Sequence, residues 1–201
     1  MDSIILASRS QRRREILKTI HIPFIVYDQN VREEQGFRRC VRAAVINLSK
    51  LKAETAARAF SNGLILGVDT VVYFNGRVFG KPRDMEEAFD FLRMLSGNTH
   101  RVISGITLKD AHGGVTYSSC SISEVTFFKL TRNEVQRYIE TGEWVDKAGG
   151  YAIQGQASLY ISKISGSFYN IMGLPVEELY RLLKKFSYFE SDGVYRPVMR
   201  K

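Results

Sequence analysis

Short apolar runs alternate with amphipathic segments along most of this chain. The first apolar run, residues 4–7, precedes a segment whose buried face would begin at Ile16 and Leu17, which predicts a strand leading into a helix. The same alternation continues downstream and predicts further strands at 22–27, 64–74, 77–79, 101–108, 115–128 and 158–164. The remaining predicted helices cover 37–60, 84–97, 131–142 and 176–186.

Local signals support these boundaries. Asn75-Gly76 is a strong two-residue hairpin signal, and residues 110–114 join two long predicted strands. Asp84 and Thr131 are each followed three residues later by a glutamate, which is the spacing of a capping box at a helix start. We found no internal repeat and no low-complexity segment. The pattern predicts an α/β fold in which helices flank a mixed sheet.

Chain length and net charge indicate the number of domains and the kind of partner. At 201 residues the chain is long enough for one domain, or one core with two lobes. We assign residues 1–186 to this domain and treat 187–201 as a basic, loosely ordered tail. The formal net charge of +8 favours an anionic partner such as a nucleotide, a nucleic acid or a membrane surface.

The cysteines, the apolar runs and the histidines bear on the protein's location and on the kind of site it contains. Cys40 and Cys120 have no metal-ligand spacing, so we expect free thiols in a reducing compartment. No apolar run reaches 18 residues, and arginines from Arg9 onward interrupt the N-terminal apolar run, unlike a signal peptide. The three histidines share no ligand spacing and receive no catalytic role. We therefore expect a cytoplasmic protein with no membrane partner.

The segment after the first strand combines Ser8 and Ser10 with three arginines, Arg12, Arg13 and Arg14. Arginines in a first helical turn oppose the helix dipole, so they are poorly explained by helix stability. Hydroxyls, free N–H groups and guanidinium groups after a strand form a phosphate-binding arrangement. A solvated basic helix start is an equally simple interpretation of this segment by itself.

Asp69 lies inside the apolar run 64–74 and is the strongest single catalytic candidate. A carboxylate there costs several kcal/mol unless it is paired, hydrogen-bonded or bound to a metal. It is either a metal ligand, a general base for water, or both. The structural alternative is a strand end or bulge satisfied by backbone amides.

Pro82 restricts Lys81 to extended backbone, and Gly80 lets the backbone approach a ligand, so Lys81 is a candidate phosphate contact. The glycine spacing is wrong for a P-loop. Lys50 and Lys52 lie on a long predicted helix, where a solvated face is the simpler explanation.

Three loop residues complete the candidates. Glu33 and Glu34 offer carboxylates that, with Asp69, suit a divalent ion such as Mg²⁺ or Mn²⁺, although loop glutamates are usually solvated. Gln154 lies in a glycine-bounded loop, and its amide has the donor and acceptor needed to recognise a nucleobase edge. A glutamine on an ordinary turn is the alternative.

Taken in order, these segments resemble the Maf family of nucleoside triphosphate pyrophosphatases from residue 4 to about 186. The motifs that carry the resemblance are LASRSQRR at 6–13, GVDTVV at 67–72, GKP at 80–82, LSG at 95–97 with His100, DKAGGY at 146–151, IQG at 153–155 and NIMGLP at 170–175. The family's usual proline before the arginine pair is replaced here by Gln11.

The resemblance implies a two-lobed α/β fold like that of inosine triphosphate pyrophosphatases, with a central cleft. It implies hydrolysis between the α- and β-phosphates, giving a monophosphate and pyrophosphate, with a divalent metal, for which Asp69 and Glu33 or Glu34 are the candidate ligands. Asp69 matches the family's proposed proton acceptor. The positions that match its phosphate-handling residues are Ser8, Ser10, Arg13, Lys52 and Lys81.

Arg12, Thr70 and Gln154 match the selectivity positions of the family's dTTP/UTP subgroup, which leaves Arg14 as an exposed residue. We therefore expect a pyrophosphatase for dTTP and UTP, and for modified pyrimidine triphosphates, that forms a homodimer. A pyrophosphatase for 7-methyl-GTP or inosine triphosphate is the enzymatic alternative. The net charge also suggests a nucleic-acid-binding or division-associated interaction protein, but such a protein has no use for a buried Asp69.

Overall fold

The computed structural model describes residues 3–28 and 40–189, which form a mixed α/β fold as the sequence pattern predicts. Its strands are β1 (Ile4–Leu6), β2 (Phe24–Val26), β3 (Leu64–Phe74), β4 (Arg77–Phe79), β5 (Thr99–Asp110), β6 (Thr116–Phe127) and β7 (Ile161–Ser165). Its helices are α1 (Gln11–Thr19), α2 (Val41–Ala57), α3 (Met85–Leu95), α4 (Arg132–Glu140), α5 (Phe168–Met172) and α6 (Val176–Lys185).

The seven described strands form one mixed sheet. The strand order is β2-β1-β3-β5-β6-β7, and β4 pairs with β3 outside this path. β1 is parallel to both β2 and β3, whereas β4 is antiparallel to β3 and β7 is antiparallel to β6. The tight turn between β3 and β4 contains Asn75 and Gly76, both with positive φ, as the Asn-Gly hairpin signal predicts.

The chain divides into two compact units, and the three long strands each contribute residues to both. The first unit contains residues 1–69, 104–121 and 173–201. The second unit contains residues 70–103 and 122–172. Each candidate site residue can therefore be assigned to one unit or the other.

In the first unit, α2 packs directly against the backbone of the sheet because two strand positions lack side chains. A Cβ at Gly67 would lie 2.1 Å from the Ser49 carbonyl oxygen, and one at Gly105 would lie 2.1 Å from that of Val45. The Ser49 hydroxyl shares a 2.8 Å hydrogen bond with the hydroxyl of Thr107. This close approach fixes the distance of α2 from β3 and β5.

In the second unit, aromatic rings form much of the described core. His100, Phe127 and Tyr151 meet edge to face, with ring centroids 5.0–5.4 Å apart. Phe79 and Phe91 pack in the same manner at 5.0 Å. Edge-to-face packing of this kind stabilises aromatic pairs beyond the burial of their area.

Several boundaries differ from those predicted. The strand predicted at 158–164 begins only at Ile161, because residues Gln156–Tyr160 form a 3-10 turn. The short helix α5 was not predicted, since five residues carry too little periodicity to detect. The helix predicted at 37–60 is described from Val41 to Ala57, and residues 37–39 lie outside the described part of the chain.

The C-terminal end of the fold continues slightly beyond α6. Tyr188 is buried, and its backbone N–H donates to the Leu183 carbonyl oxygen at 3.2 Å. Residues 190–201 of the predicted tail lie outside the described residues.

Candidate active site

The segment that follows β1 contains a buried arginine, Arg13. Arg13 is only 9% exposed; its Nη1 donates to Ser8 Oγ at 2.7 Å and its Nε donates to the Gly173 carbonyl oxygen at 2.8 Å. Ser8 Oγ also accepts from the backbone N–H of Ser10 at 3.3 Å. The interpretation of this segment as a solvated helix start is therefore wrong for Arg13.

The N-terminus of α1 is favourable for an anion. Ser10 is the N-cap residue, but its side chain makes no capping hydrogen bond, and the first turn contains no acidic residue. The backbone N–H groups and the positive end of the helix dipole thus remain uncapped by any side chain of the helix itself. Arg12 is half-buried in this turn.

Arg14 differs from its prediction as an exposed residue. It is half-buried, and its Nε is buried with no hydrogen-bond partner among the described residues. Arg13 is therefore buried and held by the hydrogen bonds described above, whereas Arg12 and Arg14 are both half-buried.

Asp69 is buried and paired with Lys52. Asp69 is 5% exposed, and its Oδ1 accepts a hydrogen bond from Lys52 Nζ at 2.7 Å. The lysine side chain is itself only 12% exposed. The opposite charge offsets part of the cost of burying an ionised carboxylate in an apolar strand. Asp69 lies inside β3 and not at its end, and Lys52 is not on a solvated helix face.

The fold explains why these residues meet. Gly67 admits α2 to the sheet surface, and Lys52 lies one turn beyond Ser49, the residue whose carbonyl faces Gly67. Asp69 follows Gly67 by two positions and so projects from the same face of β3. No sequence spacing signals this pair, since its members are 17 residues apart on a helix and a strand.

The register of β1 and β3 places the Ser8–Arg13 contact and the Lys52–Asp69 pair in one region of the first unit. Leu6 pairs with Leu66 in the parallel ladder, and the N–H of Ala7 donates to the Leu66 carbonyl oxygen at 2.9 Å. Ser8 and Asp69 then follow the paired residues in the same direction. A guanidinium, a hydroxyl and a paired carboxylate can together bind a phosphate and act on a water molecule.

Lys81 belongs to the second unit and is well exposed. Its Nζ lies 3.1 Å from Asp146 Oδ1, with the two side chains 65% and 75% exposed. The loops that carry them are joined by a hydrogen bond from the Gly149 N–H to the Gly80 carbonyl oxygen at 2.9 Å. Asp146 has a positive φ of 59°, which is uncommon for a residue other than glycine and concentrates at functional sites.

Thr70 and Gln154, the remaining candidates for base selection, differ in their exposure. Thr70 is half-buried in the second unit, directly after Asp69 in β3. Gln154 is exposed in the loop between the two 3-10 turns of the same unit. Its exposure leaves its amide accessible to a ligand.

Sequence reasoning assigned no role to His100, which shares a 2.7 Å hydrogen bond between its Nε2 and the Tyr151 hydroxyl. The histidine is 1% exposed, and burial lowers its pKa to about 4, so the ring is neutral near pH 7. Its Nδ1 has no hydrogen-bond partner among the described residues. The sequence does show His100 within a strand-forming segment. The spacing of histidines, however, can indicate a metal site but not a hydrogen bond to a tyrosine.

Asp69 is the buried carboxylate that could serve as a ligand of a divalent metal ion. Within residues 3–28 and 40–189, no group of three or more His, Cys, Asp or Glu side chains is placed to hold one. Asp69 is a single carboxylate, which fits the way Mg²⁺ is held in phosphate chemistry, by one or two carboxylates with substrate oxygens. Glu33 and Glu34, the other predicted ligands, lie outside the described residues.

Comparison with known proteins matches nearly the whole chain to one family. The family model described as "Maf-like protein" matches residues 3–186. A dTTP/UTP pyrophosphatase from Carboxydothermus hydrogenoformans is 42% identical over 185 residues, covering 92% of this chain and 99% of the relative. One from Alkaliphilus metalliredigens is 42% identical over 186 residues, covering 92% of this chain and 96% of the relative.

A solved structure shares the fold. The Ham1 protein of Staphylococcus aureus matches with a TM-score of 0.51 and 14% sequence identity, covering 94% of this chain and all of that protein. At this identity the match bears on architecture alone, and it agrees with the expected fold class. In the described part of the chain, no helix combines the length and the apolar character needed to span a membrane.

Proposed function

Because the chain belongs to the Maf-like protein family, we propose that it is a nucleoside triphosphate pyrophosphatase that hydrolyses dTTP and UTP. The products are the nucleoside monophosphate and pyrophosphate. Relatives named dTTP/UTP pyrophosphatase, 42% identical over nine-tenths of the chain, support the substrate. The observation that carries the chemistry is the buried Asp69 carboxylate held by Lys52 at 2.7 Å.

Asp69 is the proposed catalytic residue. It accepts a proton from water as the water oxygen attacks the α-phosphorus. The bond from that phosphorus to the α-β bridging oxygen breaks, and pyrophosphate leaves with the electron pair. Lys52 keeps an opposite charge beside the carboxylate in surroundings where an isolated anion would be costly.

We assign the phosphate-binding residues from their match to the family's motif positions and from their hydrogen bonds and ion pairs. Ser8, Ser10 and Arg13 form a connected set at the start of α1, where anions are favoured. Lys52 and Lys81 add positive charge against the charge that develops on the phosphates, which is the main source of catalysis in phosphoryl transfer. Lys81 must leave Asp146 to do so, and their exposure makes this exchange inexpensive.

Asp69, with Glu33 or Glu34, is the proposed holder of a divalent cation, Mg²⁺ or Mn²⁺. Such a cation, when bound, neutralises phosphate charge and lowers the pKa of a bound water. Base selection is assigned to Arg12, Thr70 and Gln154. The free thiols of Cys40 and Cys120 suit a reducing compartment, which supports a cytoplasmic location. A homodimer stays a prediction.

Pyrophosphate release from a nucleotide panel tests this proposal. The panel contains dTTP, UTP, dCTP, dATP, dGTP, inosine triphosphate and 7-methyl-GTP, each with Mg²⁺ or Mn²⁺. We expect dTTP and UTP to be the best substrates. Preferential hydrolysis of a purine triphosphate would contradict the assigned substrate, and release from no nucleotide would contradict the activity.

Replacement of Asp69 tests its role. We expect Asp69→Asn to lower kcat for dTTP by about 10²–10⁴-fold, the usual contribution of a general base, while circular dichroism stays unchanged. Asp110→Asn is the matched control, because Asp110 is also buried in the first unit but contacts the backbone of its own hairpin. Near-normal turnover in Asp69→Asn would remove Asp69 from the mechanism.

A further inference from the structure

The loop that presents Gln154 is tied to the second unit by three side chains from separate places in the sequence. The Tyr151 hydroxyl bonds to His100 Nε2 at 2.7 Å. The N–H of Ala152 donates to the Tyr138 hydroxyl at 3.2 Å. The N–H of Gln156 donates to Glu143 Oε2 at 2.8 Å. These bonds attach both ends of the loop.

The His100–Tyr151 bond is the most buried of these attachments. His100 is 1% exposed and Tyr151 is 4% exposed, and both pack edge to face against Phe127. Inside a protein such a bond is strong, and a buried polar group that loses its partner is costly. The hydroxyl of Tyr151 therefore has one strongly favoured position, three residues before Gln154.

The chemistry of a glutamine explains why the loop must be held. Thymine and uracil present a keto oxygen and an N–H, whereas cytosine presents an amino group and a ring nitrogen acceptor. An amide has both a donor and an acceptor, so by turning over it can satisfy either pattern. Only an amide fixed in one orientation can favour one pyrimidine over the other.

We propose that His100 and Tyr151 are positioning residues for base selection, which hold the loop of Gln154 so that its amide favours thymine and uracil over cytosine. This inference rests on the proposed function of the chain. Neither residue contacts the reacting phosphates in the proposed mechanism. Their removal therefore affects the choice of nucleotide more than the rate of hydrolysis.

The test compares kcat/KM for dTTP and dCTP in five purified proteins: wild type, Tyr151→Phe, His100→Leu, His100→Gln and Ser123→Ala. Tyr151→Phe deletes a single hydroxyl, and His100→Leu deletes its partner. His100→Gln retains a polar atom near the position of Nε2. Ser123 is buried in the same unit and bonds to Asn170 at 2.9 Å, so its variant controls for loss of a buried hydrogen bond away from the loop.

We expect the dTTP/dCTP ratio to fall at least about tenfold in Tyr151→Phe and His100→Leu, with kcat for dTTP changed by less than about threefold. His100→Gln and Ser123→Ala should keep the wild-type ratio. Amide hydrogen exchange should become faster in residues 151–156 of the first two variants and stay slow in Ser123→Ala.

Two results would overturn the positioning role. One is an unchanged ratio in both Tyr151→Phe and His100→Leu, in a protein that hydrolyses dTTP normally. The other is an equal fall of the ratio in Ser123→Ala, since that would reflect general destabilisation. Wild-type protein that releases no pyrophosphate from dTTP or UTP would instead overturn the proposed function, and the positioning role with it.

Discussion

Two lysines on α2, two residues apart, have opposite environments. Lys52 is 12% exposed and pairs with a buried carboxylate, whereas Lys50 is 51% exposed and lies 3.8 Å from the exposed Glu54. A buried charge that loses its partner is strongly destabilising, but an exposed ion pair contributes little. This contrast provides an internal control for the role of the Lys52–Asp69 pair.

We expect Lys52→Met to lower the free energy of unfolding by about 3–5 kcal/mol, because it leaves Asp69 buried without its cation. Lys50→Met should lower it by less than about 1 kcal/mol. Urea denaturation followed by circular dichroism measures both. Equal effects of the two substitutions would show that the Lys52–Asp69 pair does not stabilise the fold.

The buried His100 makes stability depend on pH. Its folded-state pKa is about 4, below the ordinary value of 6.5, so the unfolded chain binds this proton more readily than the folded chain. The stability that neutral His100 supports is fully present above pH 6.5. It is lost as the pH falls from 6.5 toward 4, by about 3 kcal/mol in all.

The measurement is the free energy of unfolding of wild type and His100→Gln across this pH range. The difference between the two proteins should shift by up to about 3 kcal/mol in favour of the variant on acidification, since glutamine does not titrate. A constant difference from pH 7 to pH 4 would contradict the burial of a neutral histidine.

At the scale of elements, the contact of α2 with the sheet depends on two strand glycines. A Cβ at position 67 would meet the Ser49 carbonyl oxygen at 2.1 Å and the Ala53 nitrogen at 2.9 Å, both backbone atoms that cannot rotate away. Relief of the overlap requires α2 to move, and Lys52 moves with it. The Lys52–Asp69 pair thus depends on the absence of a side chain at Gly67.

We expect Gly67→Ala to cost at least about 2 kcal/mol of stability and to lower activity toward dTTP. Gly80→Ala is the control for stability, since nothing lies within 4 Å of its Cβ position and its φ is not positive. That variant should stay within about 1 kcal/mol of wild type. Thermal unfolding measures both, and a Gly67→Ala protein as stable as wild type would contradict the close packing of α2.

Sequence patterns were sufficient for elements with strong local signals. β3 and β4 have the predicted bounds, and α4 begins with the capping box predicted at Thr131 and Glu134. The 3-10 turn Gln156–Tyr160 was not foreseen, because its residues also suit a strand and tertiary contacts decide between the two. Local propensity predicts elements, but it contains no information on what packs against them.

The candidate site was predictable to a similar extent. Asp69 is identifiable from sequence because a carboxylate inside an apolar strand needs an explanation. Its pairing with Lys52, and the contact of Arg13 with Gly173, bring together residues 17 and 160 positions apart, which only the fold determines. The roles of Arg12, Thr70 and Gln154 came from family resemblance and stay proposals.

At the scale of the whole molecule, the positive charge is unevenly distributed. The second unit contains 10 Lys and Arg residues against 9 Asp and Glu, out of 29 and 21 in the chain, so the first unit has +7 of the net +8. The first unit also contains Ser8, Arg13, Lys52 and Asp69. The excess of positive charge in this unit favours the approach of a triphosphate.

In the proposed reaction, water attacks the α-phosphorus of dTTP and pyrophosphate leaves. Single-turnover hydrolysis of dTTP in ¹⁸O-labelled water, with mass spectrometry of the products, tests it most directly. We expect dTMP with one ¹⁸O atom and unlabelled pyrophosphate. Label in the pyrophosphate, or products that are dTDP and orthophosphate, would contradict it.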